Sequence, residues 1–223
     1  MARQARNPPH RWSGRAPPSE SQTLAPATEF EIRSEVRAQT SGAADCAPGA
    51  PFVLVQELPL DTLVYLLPSR YCESDRLGDV TRDTVGDMLP GYDQVARISE
   101  WVKRNVEYRP GSSDLPLSAD EVRRQGFGVC RDMAHLGIAM CRSISIPARM
   151  VVGYLAELEP MDLHAWFEAY VGGQWYTFDP TQEHLDNPRL AIAHGRDAAD
   201  VAIYHSFGPL PLTSSAVVEV EKL

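Results

Sequence analysis

Cys130, His164 and Asp179 are residues of the types that together carry out nucleophilic acyl transfer. A thiol becomes a strong nucleophile once a base takes its proton, and the base keeps its working tautomer when a third group accepts from its other nitrogen. Cys130 follows Gly126-Phe127-Gly128-Val129 and opens Arg131 to Cys141, a run that is apolar almost all round and predicts a helix buried on every side. Cys130 is thus expected at a helix N-terminus. There the helix dipole and unpaired N–H groups favour a thiolate, and a free cysteine's pKa can fall from about 8.5 to roughly 3.5–7.5. The alternative is a buried structural thiol, and the downstream residues decide between the two.

His164-Ala165-Trp166-Phe167-Glu168-Ala169-Tyr170-Val171 is rich in aromatics, lacks breakers and predicts a strand. Gly172-Gly173 makes a turn, and Gln174 to Asp179 reads as the returning strand of a hairpin. With the glycines as the loop, Val171 pairs with Gln174, Trp166 faces Asp179 and His164 faces Thr181. His164 and Trp166 share a face, so His164 and Asp179 are diagonal neighbours, roughly 7–8 Å apart at Cβ or less. That is within reach for the carboxylate to accept from the imidazole. A slip of one residue in the turn would put the two on opposite faces.

The runs Gly128-Val129-Cys130-Arg131-Asp132-Met133-Ala134-His135-Leu136, Ile146-Pro147-Ala148-Arg149 with Gly153-Tyr154, His164-Ala165-Trp166 with Glu168, and Trp175 leading to Asp179-Pro180-Thr181 resemble the core of the transglutaminase-like superfamily. More narrowly they resemble its bacterial members, often described as cysteine proteases. Pro68-Ser69-Arg70-Tyr71-Cys72, Tyr108 to Ser113 and Gly195 to Asp200 are similar to the same group, so the resemblance spans about residues 60 to 208. It implies an α+β, papain-like fold, with a central buried helix carrying the cysteine packed on an antiparallel sheet carrying histidine and aspartate. Residue by residue the implied triad is Cys130, His164 and Asp179. The motifs are specific for fold and triad, and silent on substrate.

Such a triad forms a thiolate–imidazolium pair, attacks an amide or ester carbonyl and leaves a thioester after His164 protonates the departing amine. Water then gives hydrolysis and an amine gives cross-linking; the resemblance favours hydrolysis. The backbone N–H of Cys130 is the first oxyanion donor. Tyr108, in a family-like block, is the candidate side-chain donor, and Trp166 is expected to shield the triad from water. No cofactor is called for. A non-catalytic protein-binding domain on the same fold is the alternative, and the intact triad argues against it, because binding alone needs no reactive thiolate.

The 223 residues, 43% hydrophobic, suit a single core-bearing domain, and no apolar run is long enough to span a membrane. The net charge is −9, and beyond the first twenty residues the chain carries 17 basic and 29 acidic groups, or −12. So acidic a body argues against nucleic acid, and the amide chemistry that the resemblance implies makes a protein or peptide the expected substrate. Cys46, Cys72, Cys130 and Cys141 form no C-x-x-C pair or disulfide framework, which suits a reducing, cytoplasmic setting.

Residues 1–27 read as a disordered, arginine- and proline-rich tail without the apolar stretch of a secretory signal. Residues 28–58 read as a short β segment: a strand from Thr28 to Arg37, a loop from Thr40 to Pro51, and an apolar run at Phe52 to Val55. Residues 59–223 read as the catalytic domain, opening with another short strand at Leu63 to Leu67. Pro68 to Leu77 suits a salt-bridged loop holding a structural Cys72. A helix is expected from Tyr92 to Val106, and Ser118 with Glu121 forms a capping box for a short helix ending before Gly126. A turn at Ile146-Pro147, a strand from Arg149 to Leu155 and a C-terminal strand at Ala216 to Val220 complete an α+β order.

A metal site would have to draw on Cys130, His135, Cys141 and His164. On one helix Cys130 and Cys141 are roughly 16 Å apart, too far for one ion or a disulfide. His135 lies about 140° around the helix from Cys130 and is expected to be a buried, hydrogen-bonded core histidine. Arg131 and Asp132 are a candidate structural ion pair, and His184, His194 and His205 have no partners at telling spacing.

Overall fold

The segment that must present Cys130 becomes a helix because nothing in it breaks one and because every side of it is covered. In the structure, a computed structural model describing residues 31, 33, 35–40, 46–113, 115–202 and 216–220, it is Cys130–Ser143. In chain order the elements are α1 (Gly78–Val85), α2 (Tyr92–Asn105), β1 (Glu107–Tyr108), α3 (Ala119–Gln125), β2 (Phe127–Gly128) and α4 (Cys130–Ser143). The strands β3 (Ala148–Leu155), β4 (His164–Val171), β5 (Gln174–Phe178) and β6 (Arg189–Gly195) follow. These four form one antiparallel sheet in the order β5-β4-β3-β6. Helices first and an antiparallel sheet after give the α+β fold the sequence led to expect, with cysteine on the helix and histidine and aspartate on the sheet.

One face of the sheet is apolar by alternation. Ala148 and Met150 of β3, Phe167, Ala169 and Val171 of β4, and Tyr176 and Phe178 of β5 join the core. Against that face α4 buries Met133, Leu136, Ile138 and Met140, each worth about 1.5–3 kcal/mol. Close approach is possible because residue 137 is glycine: a Cβ there would lie 2.6 Å from the Phe167 ring. On another side α2 contributes Val95, Ile98 and Val102. Trp101 on the same helix is partly buried and packs against this core.

Ser118 caps α3 as expected, its Oγ accepting from the Glu121 N–H while Glu121 accepts from the Ser118 N–H. Gly126, at φ 73°, ends α3 in the left-handed region that favours glycine and turns the chain into β2. Gly172 and Gly173, at φ 58° and 90°, form the tight turn between β4 and β5.

The chain divides into Met1–Gln39 and Thr40–Leu223. In the first unit the described residues, 31, 33 and 35–39, are exposed and form no strand. Phe30 and Ile32, which carried the expected alternation, lie outside the described residues, as does the tail, and Val36 is 57% exposed.

In the second unit the strands expected at Phe52–Val55 and Leu63–Leu67 are instead 3-10 turns at Val55–Glu57 and Leu60–Leu66. Pro59 accounts for the second: its carbonyl accepts from both the N–H and the hydroxyl of Thr62, closing a turn, while Leu60 and Leu67 stay exposed. The loop around Cys72 departs from expectation in its charges alone. Arg70, Glu73, Asp75 and Arg76 form no ion pair among the described residues, whereas Cys72 is fully buried in the core, as a structural thiol is. The stretch 216–220 forms no strand, with Val217 84% exposed.

Gly137→Ala adds a methyl against a ring that is itself fully buried and has nowhere to swing. It gains about 1 kcal/mol of helix propensity and loses about 1–3 kcal/mol to overpacking. A lower thermal midpoint is expected, and Phe167→Leu in the same background should recover part of the loss. A Gly137→Ala protein more stable than the parent in thermal unfolding would show that α4 and β4 are not in close contact there.

Candidate functional site

Cys130 sits at the first position of α4, partly accessible to solvent. Its position is fixed by the residues around it. Asp132, fully buried, accepts from the Val129 N–H at 3.2 Å, the Leu117 N–H at 3.3 Å and the Arg131 Nε at 3.1 Å. The expected Arg131–Asp132 ion pair is present, and Asp132 is also the clamp of the first helical turn, its carboxylate favourably placed at the positive end of the dipole. Arg131 also donates to the Ser113 carbonyl and hydroxyl and to the Leu115 carbonyl, fastening Ser113 and Leu115 beside the helix start.

The hairpin register is the one the glycine turn implied. Val171 pairs with Gln174 and Phe167 with Phe178. His164, which opens β4, and Asp179, the residue after β5, meet on one face: the His164 ring donates from Nε2 to Asp179 Oδ2 at 2.8 Å. Both are buried. Nε2 is thereby engaged, and the Cys130 thiol is a second partner of the same ring. Burial disfavours the imidazolium, yet the bonds to Asp179 and Cys130 outweigh it and push the His164 pKa up to about 9. Burial also raises the Asp179 carboxyl, and the bonds from His164 and Thr181 with the charge of Arg189 more than reverse that, holding it below the usual carboxylate range.

Two partners of Asp179 carried no assignment in the sequence. Thr181 donates to Oδ1 from its hydroxyl at 2.7 Å and from its backbone at 3.1 Å. Its place across from His164 was readable from the hairpin. Arg189, at the start of β6, reaches Oδ2 at 3.4 Å, and nothing local in sequence could have pointed to it.

Trp166 stacks beside His164, ring centroids 6.1 Å apart at 29°, and is 2% exposed. Tyr108 arrives by backbone pairing: β1 runs parallel to β2, with Tyr108 opposite Gly128, two residues before Cys130, and the Arg109 N–H donating to the Gly128 carbonyl. Burial and then the nearby Cys130, Asp162 and Asp179 push the Tyr108 hydroxyl upward, so it stays protonated and able to donate.

His135 is the buried core histidine expected of it. Its Nδ1 donates to the Leu117 carbonyl at 2.9 Å and its Nε2 accepts from the Ala198 N–H at 3.2 Å. Burial drives its pKa down to about 4. Cys141 is buried in the core and its thiol is pushed upward by burial. His184 and His194 are exposed, and His205 lies outside the described residues. Among the described residues, no three of His, Cys, Asp and Glu group as metal ligands, and no helix is long and apolar enough to cross a membrane.

Residues 78–180 match the sequence profile of the transglutaminase-like superfamily. A crystal structure from Cytophaga hutchinsonii, provisionally named a cysteine protease, is 46% identical with a TM-score of 0.66, over 69% of this chain and 53% of that one. An uncharacterized protein of Mycobacterium leprae is 33% identical over 142 residues, 58% of this chain and 50% of that protein. An uncharacterized protein of Mycobacterium tuberculosis is 35% identical over 119 residues, 47% of this chain and 38% of that protein. The chain thus spans half or less of the length of these curated relatives. A partly accessible cysteine opening a buried helix, a histidine–aspartate pair at one end of an antiparallel sheet, and these matches have one common source: residues 78–180 form a core of the transglutaminase-like superfamily, which includes bacterial cysteine-protease-like members.

Proposed function

We propose that the protein is a cysteine-dependent acyl-transfer enzyme acting on amide bonds of protein or peptide substrates. Cys130 is the nucleophile, His164 the acid–base and Asp179 the group that orients His164. The observation carrying this reading is that one buried imidazole has both Asp179, on Nε2, and the Cys130 thiol as partners. That is the linkage a thiolate–imidazolium pair requires, and a purely structural histidine such as His135 lacks it.

The thiolate attacks the carbonyl carbon, forming a C–S bond and a tetrahedral oxyanion. The Cys130 N–H, which has no acceptor within its own helix, and the Tyr108 hydroxyl take the role of donors to that charge. As the C–N bond breaks, His164 passes its proton to the departing amine, and a thioester remains. Water, deprotonated by the now neutral His164, releases the acid and restores the thiol. The Trp166 ring against His164 limits water at the imidazole. Hydrolysis is favoured over transfer to an amine, in keeping with the provisional cysteine-protease name of the Cytophaga relative. None of Cys46, Cys72, Cys130 and Cys141 is in a disulfide, which suits a reducing compartment such as the cytoplasm.

Cys130→Ala is expected to abolish turnover of amide substrates, and His164→Ala or Asp179→Asn to lower kcat/KM by roughly 10²–10⁴-fold. Alkylation by iodoacetamide, followed by peptide mass spectrometry, reads the same pair without a known substrate: Cys130 should react faster than Cys46 and slow in His164→Ala. Equal rates at Cys130 and Cys46, indifferent to His164, would overturn the enzyme reading and leave a binding domain. Added hydroxylamine separates the reactions, since transfer incorporates it and hydrolysis releases free acid.

The folded His164 pKa of about 9 lies above the ordinary 6.5. Stability from its protonated form is therefore complete below about pH 6.5 and is lost as pH rises through about 9. Activity should fall over the same high-pH limb, and in His164→Gln the matching loss of stability in urea titrations should vanish. A limb unmoved in that variant's unfolding curve would assign it to another group. Tyr108→Phe should lower kcat by roughly 10–10³-fold with little change in KM if its hydroxyl meets the oxyanion; a rise in KM alone would assign Tyr108 to substrate binding.

A further inference from the structure

Two arginines are buried in this fold, and they are satisfied differently. Arg142 donates through Nε, Nη1 and Nη2 to the Leu67, Ala148 and Arg196 carbonyls and the Ser69 hydroxyl, at 2.7–3.1 Å, with no carboxylate among these acceptors. It is a staple between distant segments. Arg189 is also more than nine-tenths buried, its side chain 8% exposed. It gives Nη1 to the Asn187 carbonyl at 3.0 Å and Nη2 to Asp179 Oδ2 at 3.4 Å, and its Nε is buried with no hydrogen-bond partner. A cation held this incompletely is poorly explained as a staple. Its position is explained by charge, because the one carboxylate it pairs with among the described residues is the one His164 uses.

Resting on the assignment of His164 and Asp179 above, we propose that Arg189 is a positioning residue of the site: by sharing Asp179 Oδ2 with His164 it holds the carboxylate ionised and keeps the imidazolium acidic enough to give up its proton. The charge balance makes the sign definite. Cys130 thiolate, His164 imidazolium, Asp179 carboxylate and Arg189 guanidinium sum to zero in a site largely closed to water. Without Arg189 the set is negative and Asp179 Oδ2 belongs to His164 alone, so the imidazolium is held more tightly. The other groups facing this set are Thr181 beyond β5, Trp166 on β4 and Tyr108 on β1, all neutral, and Asp162 before β4, whose charge acts on Tyr108. None replaces the lost positive charge.

The test is the His164 titration in Arg189→Met, read by NMR of 15N-labelled histidine, with the His164 signal identified by its absence in His164→Gln. The midpoint, about 9 in the parent, is expected to rise by roughly half a pH unit or more. The high-pH limb of Cys130 alkylation should rise with it, and Arg189→Lys should remain near the parent. Turnover of an amide substrate at neutral pH should fall about tenfold through kcat. If Arg189→Met fails to fold, Arg189→Gln, which keeps a donor for the Asn187 carbonyl without the charge, carries the same expectation. An unchanged midpoint with only a lower thermal midpoint would overturn the proposal and make Arg189 a staple like Arg142. Because the NMR midpoint needs no turnover, this outcome is separable from failure of the catalytic reading, which the parent's alkylation decides alone.

Discussion

A carboxylate removed from water stays ionised only where donors surround it, and Asp179 is where several parts of the chain meet that demand together. His164 comes from the start of β4, Thr181 from just past β5 and Arg189 from the start of β6. These strands are not all neighbours, since β3 lies between β4 and β6. The carboxylate therefore closes one end of the sheet and at the same time sets the protonation of His164. Folding and chemistry depend on the same buried charge, and a change that weakens one weakens the other.

What was legible in the sequence was local or periodic. The glycine pair fixed the hairpin register, and the period of two then placed His164 and Asp179 on one face. The capping box at Ser118 and Glu121 and the apolar run after Cys130 located α3 and α4 for the same reason. The failures share a cause as well. Leu63 to Leu67 and Phe52 to Val55 are apolar enough for strands, but short apolar runs do not distinguish a strand from a 3-10 turn, and a proline carbonyl decided the matter at Thr62. Arg189 was out of reach because its meaning depends on a contact across the sheet, ten residues from Asp179. Tyr108 was found only by resemblance, for its place rests on a two-residue parallel pairing too short to leave a pattern.

Cys130 is also held from two sides. Glycine at 137 brings α4 onto Phe167 and so sets the height of the whole helix above the sheet. At its first turn, Asp132 satisfies two backbone N–H groups and Arg131 at once, which fixes how the chain enters the helix. Burying so many donors on one carboxylate leaves that first turn little freedom.

The short ladder between β1 and β2 separates the site into a fixed floor and an exchangeable rim. Arg109 is bonded to the Gly128 carbonyl and Leu117 to the Asp132 carboxylate, so both ends of the excursion between Arg109 and Leu117 are fastened to residues beside Cys130. Leu115, within that excursion, is 77% exposed. Lengthening a loop whose ends are already pinned costs free energy that grows only with the logarithm of its length. The surface beside Cys130 can therefore be rewritten without moving Tyr108 relative to the thiol.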